Sequence, residues 1–210
     1  MPIARKSSKS AYFAAMSIEL PQRNWDLLSK QEKYTELHQQ ISALLDPQVD
    51  DIANLANAAA LLKEIFGWWW VGFYRVLNNK LVLGPFQGPV ACTTIALGKG
   101  VCGKSWETQS TLVVPNVEEF PGHIACSAAS KSEIVVPIVK VEGQIWGVLD
   151  VDSEYLATFD ELDQIELEKF YKALDEQKET EITIINYKKN GEEYWVNLSS
   201  SPVFNDKGEH

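Results

Sequence analysis

Trp68-Trp69-Trp70-Val71-Gly72-Phe73-Tyr74-Arg75-Val76 runs through Asn78-Asn79 into Lys80-Leu81-Val82-Leu83-Gly84-Pro85-Phe86, and the fold turns on this stretch. Aromatic and β-branched side chains crowd its first half, and such residues suit a pleated, half-buried surface. With Asn78-Asn79 as the turn, residues 68–76 and 80–86 pair as a hairpin. Three consecutive tryptophans on a strand alternate faces, so at most two of them share a side. Upstream the period changes. Tyr34, Leu37, Ile41 and Leu44 step by three and four, which predicts an amphipathic helix ending before Pro47. Ile52, Leu55, Ala59 and Leu62 repeat that pattern in a second helix that stops near Gly67.

Downstream, glycine and proline punctuate residues 84–121, with short apolar pieces such as 111–114. Long connections of this kind carry function on a rigid scaffold. Residues 134–141 and 144–151 form a second hairpin around Glu142-Gly143, and Pro137 demands an edge or a bulge within it. Thr158 with Glu161 reads as a capping box opening a closing helix through Phe159, Leu162, Ile165, Phe170 and Leu174. The order predicts an α+β domain, a central antiparallel sheet flanked by helices. After Gln177 come strand-like runs at 181–187 and 193–199, joined by Lys188-Lys189-Asn190-Gly191, where Asn-Gly is a hairpin signal. A lone hairpin is marginal in water, so this tail needs a partner surface or is the remnant of something longer. The turn-like Asn205-Asp206-Lys207-Gly208 just before His210 suggests an interruption. The expected division is a flexible extension at 1–24, one domain at 25–178 and a hairpin tail at 179–210.

The chain has 210 residues, 45% of them hydrophobic, with 7 Trp, 7 Tyr and 8 Phe, enough for one well-packed core. A net charge of -10 argues against nucleic acid or an anionic membrane as partner. No apolar run approaches the roughly 20 residues of a membrane span. The basic start ahead of Ala11-Tyr12-Phe13-Ala14-Ala15-Met16 offers too short an apolar core for a signal peptide. A cytoplasmic location follows, where thiols stay reduced and an odd cysteine count is no liability.

The chain's three cysteines, Cys92, Cys102 and Cys126, are spaced Cys-x9-Cys-x23-Cys. Structural zinc usually takes four ligands in close pairs, so no metal is expected. They are either inert buried thiols or a redox set of attacking and resolving cysteines. Cys126 sits among small residues, Gly122-His123-Ile124-Ala125-Cys126-Ser127-Ala128-Ala129-Ser130, which let a substrate approach the sulfur. The bland reading is a structural cysteine acting as a small hydrophobe. His123 reads more readily as a loop histidine than as a partner of Cys126. Glu133, Asp150 and Asp152 are the candidate carboxylates; Asp150 and Asp152 lie two apart on a strand, so both point one way, and the two could hold a ligand ammonium and push a neighbour's pKa upward. Against that, Asp152 could cap a turn while Asp150 is solvated. The glycines around Cys102 lack phosphate-loop spacing.

The segments Leu83-Gly84-Pro85-Phe86-Gln87-Gly88-Pro89, Gly100-Val101-Cys102-Gly103, Gly122-His123-Ile124-Ala125-Cys126, Ser132-Glu133-Ile134-Val135 and Gly147-Val148-Leu149-Asp150-Val151-Asp152-Ser153 closely resemble the free methionine-(R)-sulfoxide reductases, enzymes of GAF fold. The resemblance spans about residues 25–177 and includes Trp69-Trp70-Val71-Gly72-Phe73-Tyr74, while the tail from Asn186 is similar to the end of a PAS domain. It implies a single GAF-like domain that reduces free methionine (R)-sulfoxide. Cys126 would attack the sulfoxide and become a sulfenic acid. Cys92 would resolve it as a disulfide, with Cys102 as alternate or relay, and a thioredoxin-type partner fed by NADPH would reopen the bond. Glu133 would supply a proton, Asp150 and Asp152 would take the ammonium, and Trp70 and Tyr74 would cover the S-methyl group. No bound cofactor is implied, and a homodimer is compatible with it. A GAF sensory module that binds a small ligand without turnover is the alternative.

Overall fold

The computed structural model describes residues 24–46, 49–123, 129–139, 145–175, 182–187 and 193–198, with side chains through residue 170. Helix α1 (Lys30–Leu44) starts at a capping box. The Ser29 hydroxyl accepts from the Glu32 amide, and the Glu32 carboxylate accepts from the Ser29 amide. It buries Tyr34, Leu37 and Ile41, three of the residues whose spacing announced it. Helix α2 (Asp51–Phe66) is capped by Asp50 and closed by Gly67 in the left-handed region at φ 69.

Six strands form one antiparallel sheet in the order β3-β2-β1-β6-β5-β4: β1 Trp70–Leu77, β2 Lys80–Gln87, β3 Thr94–Ile95, β4 Leu112–Val114, β5 Ser132–Val139 and β6 Ile145–Ser153. Asn78 and Asn79 turn the first hairpin with φ of 52 and 58, the primed geometry that follows a strand's own twist. Pro137 faces Val148 of β6, but β4 pairs β5 only through residues 133–135. Pro137 thus lies beyond the stretch that β4 covers, and the register slips just after it at Ile138/Val139. The turn expected at Glu142-Gly143 lies outside the described residues.

Alternation along the strands divides the core in two. Val71, Phe73, Ile134, Val136, Leu149 and Val151 face α1, α2 and the closing helix α4 (Glu161–Asp175). Trp70, Tyr74, Val135 and Val148 face the other way, towards Val101 and Cys102 of a helix α3 (Gly100–Thr108). That helix corrects the expectation of a connection with only short apolar pieces across residues 84–121. The start of α4 is a second correction. Asp160, not Thr158, is the cap: its carboxylate accepts from the Leu162 and Asp163 amides while Asp163 accepts from the Asp160 amide. Thr158 instead donates its hydroxyl to Ser153 and to the Tyr155 carbonyl. The buried Asp163 then ties α4 to α1, accepting from the Tyr34 hydroxyl at 2.7 Å and from the Lys30 amine at 2.6 Å.

Gly147 in β6 passes so close to β1 that an added Cβ would overlap the Tyr74 carbonyl oxygen and crowd Arg75. The obstacle is backbone of a central strand and cannot swing aside. Gly147→Ala is therefore expected to destabilise the domain by at least about 1–3 kcal/mol, the range for overpacking. Urea unfolding checks this, and an unchanged midpoint would show that β1 and β6 can part.

Strands β7 (Ile182–Tyr187) and β8 (Glu193–Leu198) pair antiparallel with each other, as expected for the tail, while its Asn190-Gly191 turn lies outside the described residues. So does the 1–24 extension apart from Asn24. Among the described residues no helix is long and apolar enough to cross a membrane.

Candidate active site

One pocket opens on the sheet face covered by α3, lined by Trp70 and Tyr74 of β1, Cys102 of α3, Glu133 of β5, and Asp150 and Asp152 of β6. Each strand sends alternate residues to this face, so the gathering follows from register. Glu133 lies directly across from Asp152, and Trp70 pairs Asp152 on the other side. Trp70 stacks on Tyr74 with ring centroids 6.0 Å apart and on Phe86 of β2 at 5.4 Å. The polar ends of this aromatic wall hold the loop after β2: the Trp70 indole donates to the Pro89 carbonyl at 3.1 Å, and the Tyr74 hydroxyl donates to the Cys92 carbonyl at 3.0 Å. Gly88, at φ 143, lets that loop pass the Trp70 indole, which a side chain there would strike.

Beside the aromatic wall the pocket is acidic. Glu133 and Asp150 are buried, and among the described residues no ion pair reaches them or Asp152. Asp150 is not solvated, as the bland reading had it, and its Oδ1 has no hydrogen-bond partner. Burial, then the charges of Asp150 and Asp152, pushes Glu133 well above the usual carboxylate range. Burial and then Asp152 do the same to Asp150. Burial raises Asp152 to about 6, opposed by the hydroxyl of Ser130, which donates to its Oδ1. Burial thus favours the protonated form of the two deepest carboxyls, Glu133 and Asp150.

The three cysteines part ways. Cys102 is a free buried thiol with its Sγ 3.9 Å from Glu133 Oε1, and burial followed by Asp150 and Glu133 pushes its pKa well up. It is a poor nucleophile there, since only the thiolate attacks. Cys92 is disulfide-bonded. Cys126 lies outside the described residues. His123 lines the pocket, its pKa lowered by burial, and its own amide donates to the Phe120 carbonyl at 3.0 Å.

The comparisons with known proteins fit this site. A GAF domain model matches residues 41–170, and a PAS domain model matches residues 150–210. The free methionine-R-sulfoxide reductase of Saccharomyces cerevisiae is 42% identical over 156 residues, covering 70% of this chain and 87% of the yeast protein. The chain belongs to the GAF-domain free methionine-(R)-sulfoxide reductases. GAF domain-containing protein A of Dictyostelium discoideum is 57% identical over 148 residues, 70% of this chain and 93% of that protein. Among solved structures, the free methionine-R-sulfoxide reductase of Neisseria meningitidis in complex with its substrate superposes with a TM-score of 0.68 at 51% identity, covering 70% of this chain and 89% of that one.

Within this reductase fold, Trp70, Tyr74, Cys102, Glu133, Asp150 and Asp152, all singled out from the sequence, share one pocket. Sequence reasoning passed over Ser130, which steadies Asp152, and Lys99, Gly100 and Val101 at the start of α3, which also line it. Ser130 stood in the small-residue run after Cys126, and its partner 22 residues away in sequence gave no local signal.

Proposed function

We infer that this chain reduces free methionine (R)-sulfoxide to methionine. The observation carrying this reading is the cluster of Glu133, Asp150 and Asp152 sharing one pocket with the Trp70–Tyr74 wall and Cys102. The Cys126 sulfur attacks the sulfoxide sulfur, methionine leaves, and the oxygen remains on Cys126 as a sulfenic acid. Cys92 condenses with that sulfenic acid, releasing water and forming a disulfide, which a thioredoxin-type dithiol reopens with electrons from NADPH. Glu133, held protonated, donates to the sulfoxide oxygen as its bond to sulfur breaks. Asp150 and Asp152 receive the ammonium group, which a peptide-bound methionine lacks, and Trp70 and Tyr74 enclose the S-methyl group. The disulfide at Cys92 beside a free Cys102 supports Cys92 as the resolving thiol and leaves Cys102 out of the redox cycle. Cytosolic thioredoxin supplies the reductant this cycle needs.

The test is NADPH oxidation coupled through thioredoxin and its reductase, with free methionine (R)-sulfoxide, its S epimer and an N-acetylated analogue as substrates. Consumption with the free R epimer alone is expected. Binding of the sulfoxide without NADPH oxidation would identify a sensory GAF module, the reading that the PAS match at 150–210 favours. Cys92→Ser should still release about one methionine per enzyme in a single turnover, because attack does not involve it. Sustained turnover should fail, and a sulfenic-acid probe should label Cys126. If Cys102→Ser gave that phenotype in its place, the two roles would be exchanged. Activity is assigned to residues 25–178. A chain ending near Gln177 should keep it, and inactivity on removing only residues 181–210 would make the tail part of the enzyme.

A further inference from the structure

Cys102 of α3, Glu133 of β5 and Asp150 of β6 each offer one ligand atom, and these three atoms lie within 4.8 Å of one another. All three residues are buried yet line the pocket, so an ion has a route to them. Asp150 Oδ1 supplies the independent sign of a missing occupant. The Asp150 carboxyl shares hydrogen bonds with Cys102 and Glu133, but this oxygen is shielded from solvent and has no partner, an arrangement that costs free energy until a cation or donor arrives. We propose that Cys102, Glu133 and Asp150 form a three-ligand site for a soft divalent cation of the Zn2+ class, which competes with the substrate ammonium for the acid trio.

One sulfur and two carboxylate oxygens suit Zn2+ or Cd2+ and not Mg2+ or Ca2+, which take six or more oxygens. Tetrahedral zinc with bonds of about 2.3 Å to sulfur and 2.0 Å to oxygen holds those atoms roughly 3.5 Å apart. Cys102 Sγ and Glu133 Oε1, at 3.9 Å, need only close slightly. On binding, the Cys102 thiol and any protonated carboxyl release their protons to solvent as metal–ligand bonds form, and no electron changes hands. Three anionic ligands around a divalent ion leave one net negative charge, with a water in the fourth position. The site does not involve Cys92, so it persists when the disulfide is closed. Binding is independent of the catalytic reading, and only the competition with substrate rests on it.

The experiment uses the full chain, oxidised until a thiol reagent under denaturing conditions counts one free cysteine. Zn2+ is titrated by calorimetry, and Cd2+ by its thiolate charge-transfer absorbance. One ion per chain is expected, with affinity lowered by about 10-fold or more in Cys102→Ala and in the isosteric Asp150→Asn. Circular dichroism confirms that both variants fold. Failure of the oxidised wild type to bind either ion, or equal binding by folded Cys102→Ala, overturns the proposal. On the reduced enzyme, Zn2+ should raise KM for the sulfoxide and leave kcat unchanged. A fall in kcat alone would overturn the competition.

Discussion

Replacing Cys126 by serine is expected to remove methionine release altogether, lowering the single-turnover rate by at least about a thousandfold. The attacking atom must be a strong nucleophile near neutral pH and must also carry the sulfoxide oxygen away. A free thiol has a pKa near 8.5, so about a few per cent is thiolate at pH 7, while a serine hydroxyl remains protonated and has no sulfenic state. Neither remaining cysteine can stand in. Burial and the adjacent acids keep Cys102 as a thiol, and Cys92 belongs to the loop pinned by the Tyr74 hydroxyl. Stoichiometric enzyme mixed with free methionine (R)-sulfoxide, and the methionine counted by chromatography, is the measurement. Substantial release from Cys126→Ser, or its loss in Cys102→Ala, would displace Cys126 from the role.

Much of this was legible because two periodicities carry it. The three-and-four steps at Tyr34–Leu37–Ile41 and at Leu55–Ala59–Leu62 mark helices, and both sets are buried. The period of two puts Asp150 and Asp152 on one face, where the pocket has them. Helix α3 escaped because Gly100 and Gly103 are poor helix formers. Its reason is tertiary: a Cβ on Gly103 would run into the Ala96 carbonyl, so the glycine buys close packing that no local propensity records. The cap of α4 was misplaced by two residues because Thr158 and Asp160 both fit the capping pattern. Only the contacts of Thr158 with Ser153 and Tyr155 decide between them. The Cys102–Glu133–Asp150 cluster draws on a helix and two strands, so no local cysteine spacing marks it.

Glu133→Gln is expected to cut kcat by about 10²- to 10⁴-fold, the usual worth of a positioned acid, while making the protein more stable at neutral pH. The two effects have one cause. Burial and the charges of Asp150 and Asp152 push the Glu133 carboxyl well above the ordinary carboxylate range in the folded chain, whereas in the unfolded chain it ionises within that range. A raised folded-state pKa means that stability is full below the unfolded value and is lost as pH climbs through the folded one. Glutamine has nearly the same shape and no proton to lose, so its stability gain should be absent in acid and widen as pH rises through that window. For activity the sign is the same: the wild-type rate should fall as pH rises past the point where Glu133 gives up its proton. An acid limb should come from Asp152, which must ionise near pH 6 to take the ammonium. Because the acids titrate as a group, the limbs belong to the cluster and not to single residues. The Glu133→Gln variant should keep the acid limb and lose the alkaline one. Thermal unfolding across pH beside the kcat profile tests both halves. A variant that is inactive and also less stable at pH 8 would mean that Glu133 holds the pocket together, and a variant with unchanged kcat would mean that the proton comes from elsewhere.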